Sequence, residues 1–143
     1  MAIAELNIVD GIYSYLTADS TFNTAIGGTA SAAGRLYHGQ TPTNATPTTP
    51  YVVYFIIDTV DEDSFDKDGF NISVQFSIWD TKASGARACL DTYDKLHARL
   101  HRAIVTMSNI DEMPAELDIK RGPVIDDQYW LIQADYLFRG YES

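Results

Sequence analysis

Phe70-Asn71-Ile72-Ser73-Val74-Gln75-Phe76-Ser77-Ile78-Trp79 is the stretch that decides the fold class. Apolar and polar residues alternate with period two through Ile78, and Trp79 closes the run. That pattern marks a half-buried strand. Upstream, Tyr51-Val52-Val53-Tyr54-Phe55-Ile56-Ile57 is a continuous β-branched and aromatic run, which reads as a second strand. Between them lies Asp61-Glu62-Asp63-Ser64-Phe65-Asp66-Lys67-Asp68-Gly69. A segment so rich in carboxylates belongs to solvent or to a partner, never to a core. We therefore expect an acidic hairpin over residues 58–69.

Downstream of Trp79 the period changes from two to that of a helix. Ala86, Cys89, Leu90, Tyr93, Leu96, His97, Leu100, Ala103 and Ile104 form an apolar stripe, predicting one long helix from Thr81 or Ser84 to about Ala103. Arg87 with Asp91, and Asp91 with Lys95, are four apart on its wet side. Two more strands are expected. One lies within Ile110 to Ile125. The other is Gln128 to Phe138, with Trp130, Ile132, Ala134, Tyr136 and Phe138 on one face and Asp126-Asp127 as the turn before it.

The chain before Tyr51 has a different texture. Leu6, Val9, Ile12 or Tyr13, and Leu16 predict a helix over 5–17. Asp19 or Ser20 can cap a second short helix carrying Phe22, Ala25 and Ile26, which Gly27-Gly28 ends. Residues 27–50 are rich in Gly, Ala, Ser, Thr and Pro and read as a flexible arm, interrupted by the short candidate strand Arg35-Leu36-Tyr37-His38. No internal repeat and no domain boundary is visible, so one domain over 1–143 is expected. The fold class expected is α+β: an antiparallel sheet of about four strands on one long helix, with two short N-terminal helices.

The bulk numbers narrow the function. Twenty acids oppose ten bases, a formal net charge of -10. Such a chain does not hold nucleic acid by neutralising phosphates. Cys89 is the sole cysteine, so no internal disulfide can form, and its place on the apolar stripe reads as a packed thiol. Met1-Ala2-Ile3-Ala4-Glu5 lacks the basic and long apolar parts of a signal peptide. No run approaches the ~20 apolar residues of a membrane span. The expectation is a soluble cytoplasmic protein with no membrane partner. The aromatics Tyr51, Tyr54, Tyr129, Trp130 and Tyr136 fall on expected strands, where cross-strand pairing accounts for them.

Catalytic patterns fail on spacing. Asp66-Lys67-Asp68-Gly69 resembles the start of a calcium loop, but its glycine is fourth rather than sixth and Ser77 stands where the closing glutamate belongs. His97 and His101 are four apart, yet Ala98 occupies the glutamate place of a zinc-protease motif. There is no nucleophile elbow and no glycine-rich phosphate loop. The carboxylates at Asp61, Glu62 and Asp63 sit on an expected exposed tip, where they make poor general acids at neutral pH. No metal, no cofactor and no catalytic residue is expected. A metal-dependent hydrolase using Asp61, Asp63, Asp66 and Asp68 is the reading from another class. Calorimetry with calcium, magnesium and manganese would reveal it.

Several segments together carry a resemblance. They are Gly27-Gly28; Arg35-Leu36-Tyr37-His38-Gly39-Gln40-Thr41-Pro42; Pro50-Tyr51-Val52-Val53-Tyr54; and the strand Val74 to Trp79 leading into the helix. In this order and spacing, from about residue 8 to about residue 102, the chain resembles the tail completion or tail terminator proteins of tailed bacteriophages, also called tail-to-head joining proteins. The arm at 41–49 is longer and richer in threonine than that family's pattern. The C-terminal strands match no motif of it. The resemblance implies an α+β subunit of a virion, assembled in the host cytoplasm into a ring, usually a hexamer. The ring would stop the tail tube, meet the head or neck connector, and leave a lumen for DNA without gripping it. It implies no chemistry. Asp61, Glu62, Asp63, Asp66 and Asp68 of the tip, and Thr43, Asn44 and Thr46 of the arm, become candidate partner or lumen contacts. A neck or head-completion adaptor ring is the neighbouring alternative.

Overall fold

The computed structural model describes residues 5–41, 48–61, 69–105, 110–112 and 114–142. Helix α1 is Glu5–Thr17 and helix α2 is Ser20–Ala25. The Asp19 carboxylate accepts from the Phe22 N–H at 3.3 Å and caps α2. The buried side of α1 is Ile8, Val9, Ile12 and Leu16, with steps of four residues, while Leu6 and Tyr13 of the expected stripe stay exposed. Strand β1 is Leu36–His38, β2 is Tyr51–Asp61 and β3 is Gly69–Thr81. Helix α3 is Ala86–Leu100. Strands β4 (Ile110–Glu112), β5 (Glu116–Asp126) and β6 (Tyr129–Glu142) complete the order.

The expected four-stranded antiparallel sheet on one long helix is not what forms. The sheet is mixed and holds six strands, ordered β1-β2-β3-β6-β4, with β5 also on β6. β1 runs parallel to β2, and every other pairing is antiparallel. β4 and β5 lie end to end along the same side of β6, at residues 140–142 and 129–137 of that strand. The helical layer is three helices of 13, 6 and 15 residues, so α3 is not a lone long helix. Two causes explain the difference. A three-residue strand such as β1 has too few positions to show a period, and its parallel partner lies beyond a long connection. Residues 110–125 split in two because Ala115 is tied to the end of α3: the Arg102 N–H donates to the Ala115 carbonyl at 2.6 Å, and the Ala115 N–H donates to the Ala103 carbonyl at 2.8 Å.

Register sorts the strands into two faces. Val52, Ile78 and Ile132 stand side by side across β2, β3 and β6, as do Tyr54, Phe76 and Ala134. These residues, with Val74, Tyr136 and Phe138, join Ile8, Ile12, Leu16, Phe22, Cys89, Leu96 and Leu100 in one buried cluster. The Tyr54 hydroxyl crosses the layer to donate to the Val9 carbonyl at 3.0 Å. The alternate residues, Tyr51, Val53, Ser77, Gln75 and Asp135, point to the opposite face, which no helix among the described residues covers.

Candidate interaction surfaces

The uncovered face has a graded chemistry. At the end where β2 starts and β3 finishes, four rings cross four strands. Tyr37 lies 6.4 Å from Tyr51, Tyr51 stacks on Trp79 at 6.3 Å, and Trp79 meets Tyr129 edge-on at 5.9 Å. Val53 and Leu131 lie beside this ladder and are buried with Tyr51. Cross-strand aromatic pairs stabilise a sheet by about 0.5–1.5 kcal/mol each beyond their area. Burial raises the Tyr51 phenol pKa above its ordinary value, with Tyr129 and Tyr37 adding to the effect.

The centre of the same face is polar and closes its own charges. Asp135 is buried at 4% exposure. It accepts from Gln75 Nε2 at 3.2 Å and from Arg121 Nη2 at 3.2 Å. A carboxylate that deep is tolerated because it is paired and hydrogen-bonded. Arg139 stands 3.8 Å from Glu116. At the far end, about 30 Å from the ladder at ~3.3 Å per residue, β2 ends in exposed Asp61. Of the sequence-derived contact residues, Asp61 is therefore seen to be exposed. Glu62, Asp63, Asp66 and Asp68, and Thr43, Asn44 and Thr46, lie outside the described residues.

The two helix histidines serve packing on the covered face. His97 Nδ1 lies 2.8 Å from the Tyr136 hydroxyl, and its ring stacks on His101 at 4.6 Å between centroids. His101 Nδ1 accepts from the Leu117 N–H at 3.2 Å, tying α3 to β5. Burial holds the His97 pKa below its usual range, and the neighbouring His101 charge lowers it further. Both Nδ1 atoms are thus engaged within the protein. Among the described residues, no three His, Cys, Asp or Glu side chains stand together to hold a metal ion.

Cys89 is fully buried, its Sγ donates to the Ile78 carbonyl at 3.5 Å, and burial first, then Asp80, pushes its pKa up to about 11. It is a protonated packed thiol, without the electropositive setting that makes a nucleophile. A shallow groove between α2 and α3 is lined by Asp19, Thr21, Asp94, Lys95, Ala98 and Arg99. Lys95 is committed to Asp91 at 2.8 Å, and Arg99 donates to the Tyr15 carbonyl at 2.9 Å while lying on the Tyr15 ring. The groove brings no nucleophile together with a base.

Sequence reasoning missed Asn23. Its side chain is buried in α2, donates from Nδ2 to the Thr29 and Ala32 carbonyls at 3.2 Å each, and accepts from the Gly34 N–H at 2.6 Å. Gly34 passes so close that an added Cβ would meet the Asn23 carbonyl at 2.8 Å. Arg35 Nε then donates to the Pro50 carbonyl at 3.0 Å, joining the start of β1 to the start of β2. An asparagine in the middle of a helical pattern was the available signal, since its side chain satisfies backbone groups in neighbouring turns.

No family model and no curated protein sequence matches this chain. No described helix is long and apolar enough to cross a membrane. Among solved structures, a chain of the virion of a native gene transfer agent particle superposes with a TM-score of 0.70 at 17% identity, over 92% of this chain and 90% of that one. A second solved structure superposes with a TM-score of 0.66 at 11% identity, over 99% and 98% of the two chains. At these identities the likeness is one of fold, and the fold of this chain is one that a virion protein uses.

Proposed function

We propose that this chain is a structural virion protein that closes with copies of itself into a ring, of six subunits, at the end of a tail tube. The ring terminates the tube, meets the head or neck connector, and leaves a lumen through which DNA passes. The observation that carries this reading is the end-to-end likeness in fold to a virion chain. The family resemblance of residues 8–102 points the same way. The chemistry supports it too. The uncovered sheet face is built of aromatics and self-paired polar groups, as an interface is. No nucleophile and base stand together in the groove or histidine cluster described above.

A net charge of -10 per chain suits a passage that repels the DNA backbone. In this reading Asp61, Glu62, Asp63, Asp66 and Asp68 face the lumen or a basic partner surface, and Thr43, Asn44 and Thr46 touch a neighbour. The protein carries out no reaction and needs no cofactor.

Native mass spectrometry tests the ring directly: six chains of 15.9 kDa weigh about 95 kDa. Pull-down against purified tube protein and connector protein then separates a tail terminator from a head-completion adaptor. Capture by connector alone favours the adaptor. A monomer that never caps tubes ends the terminator reading.

A further inference from the structure

We infer that His101 is a pH-sensitive latch: taking up a proton at its Nδ1 releases the first residues of β5 from the end of α3. The inference stands apart from the ring reading above. It follows from which atoms donate and which accept at this joint. His101 Nδ1 accepts from the Leu117 N–H at 3.2 Å. A backbone N–H can only donate, so the imidazole carries its proton on Nε2 while the bond stands. A proton at Nδ1 sets two N–H groups against each other, and the bond is lost.

The neighbouring histidine is held differently. His97 Nδ1 meets the Tyr136 hydroxyl at 2.8 Å, and a hydroxyl both donates and accepts. Turning that hydroxyl round keeps the contact when His97 is protonated. One ring of the stacked pair is therefore tolerant of a proton and the other is a switch. The stack, 4.6 Å between centroids with 18° between planes, sets a charge on one ring against a charge on the other. The other groups facing the pair are Tyr93 and Asp94 on α3, Tyr136 on β6, and Lys120 on β5, whose ammonium lies 5.0 Å over the Tyr93 ring. Glu116, beside Leu117, is turned to Arg139 at 3.8 Å. Among the described residues no carboxylate forms an ion pair with either imidazole.

The piece that the latch holds is short and set apart. His101 caps α3, and the next residue, Arg102, takes φ 63°, in the left-handed region that side chains rarely adopt. Ala115 is tied to this turn by its two backbone bonds to Arg102 and Ala103. Beyond Leu117 a register shift before Ile119 separates the first two residues of β5 from the rest of its ladder. Loss of the imidazole bond therefore acts on residues 115–117 rather than on the whole sheet.

The test is amide hydrogen exchange of the full chain, read residue by residue by NMR from about pH 8 to about pH 5, either side of the usual histidine range. In the wild type, protection of the Leu117 amide should fall roughly two- to tenfold relative to that of Val74 in the middle of β3, the loss expected for one hydrogen bond. The fall should follow the titration of the His101 ring signals, which keeps the test intact if a variant misfolds. In His101→Asn the pH dependence should vanish, and in His97→Asn it should persist. Leu117 protection that keeps step with Val74 in the wild type overturns the latch. A fall that follows the His97 ring signals, or that survives in His101→Asn, overturns it too.

Discussion

The two faces of this one sheet are built from alternate residues of the same strands, yet they obey different rules. On β3, Phe70, Ile72, Val74, Phe76 and Ile78 go under the helices, and all five are at most 2% exposed. Their neighbours Asn71, Ser73, Gln75 and Trp79 are half-buried on the other side, with Ser77 buried. The covered face is held by burial of apolar area, about 25 cal/mol per Å², which is strong and indifferent to exact direction. The uncovered face is held by directional contacts: ring on ring at one end, and Gln75–Asp135–Arg121 in the middle. The first face makes the fold stable. The second gives the surface a pattern that a partner can read.

The sharpest way to break that contrast is Phe76→Ala. Phe76 is fully buried between Tyr54 and Tyr136. Emptying such a site costs about 3–5 kcal/mol, read as a lowered urea midpoint. Asn23→Ala should come next, at about 2–3 kcal/mol, because three backbone groups lose their partner. Hydrogen exchange should rise over residues 28–35 before it rises in β3. Trp79→Ala on the uncovered face should cost about 1–3 kcal/mol of stability, from two lost ring contacts. If it destabilises as much as Phe76→Ala, the two faces are not different in kind.

The smallest effect is the pH dependence at His97. Its folded pKa lies below the ordinary histidine value of 6.5. Above that value neither folded nor unfolded chain is protonated there, and stability is unaffected. As pH falls below it, the unfolded chain takes up a proton that the folded chain resists, so stability declines until the folded pKa is passed. In His97→Asn the urea midpoint should fall less steeply than in wild type as the pH is taken down from 6.5. Equal slopes would remove His97 from the account.

How much of this was legible in the chain depends on the element. The alternation in 70–78 identified β3 and correctly chose which of its residues enter the core, because a period of two leaves no other assignment. The helix after it was legible from its stripe, although it starts at Ala86 rather than at Thr81 or Ser84. Thr81 and Ser84 instead bond each other at 2.7 Å, in the turn that precedes it. β1 was legible as a candidate strand but not as a parallel one, since three residues carry no statement about direction. The division of β4 from β5 followed from Ala115 meeting the end of α3, a contact that no local pattern encodes. Of the candidate contacts, Asp61 lies within the described residues: it is exposed, but it ends strand β2 opposite Phe70 rather than standing on a hairpin tip, because the strand runs past the apolar stretch that ends at Ile57.

Taken alone, the sequence determined that β2, β3, β6 and the helices exist, which side of β3 is apolar, and that the molecule is acidic. These are local properties, written in period and composition. Tertiary structure decided everything that joins distant residues: His97 to Tyr136 across 39 positions, the aromatic ladder drawn from four strands, the burial of Asp135 against Arg121, and the tie of His101 to Leu117. The reason is physical. Alternation says which side of a strand is apolar, but only the order and direction of strands in the sheet decide what those side chains meet.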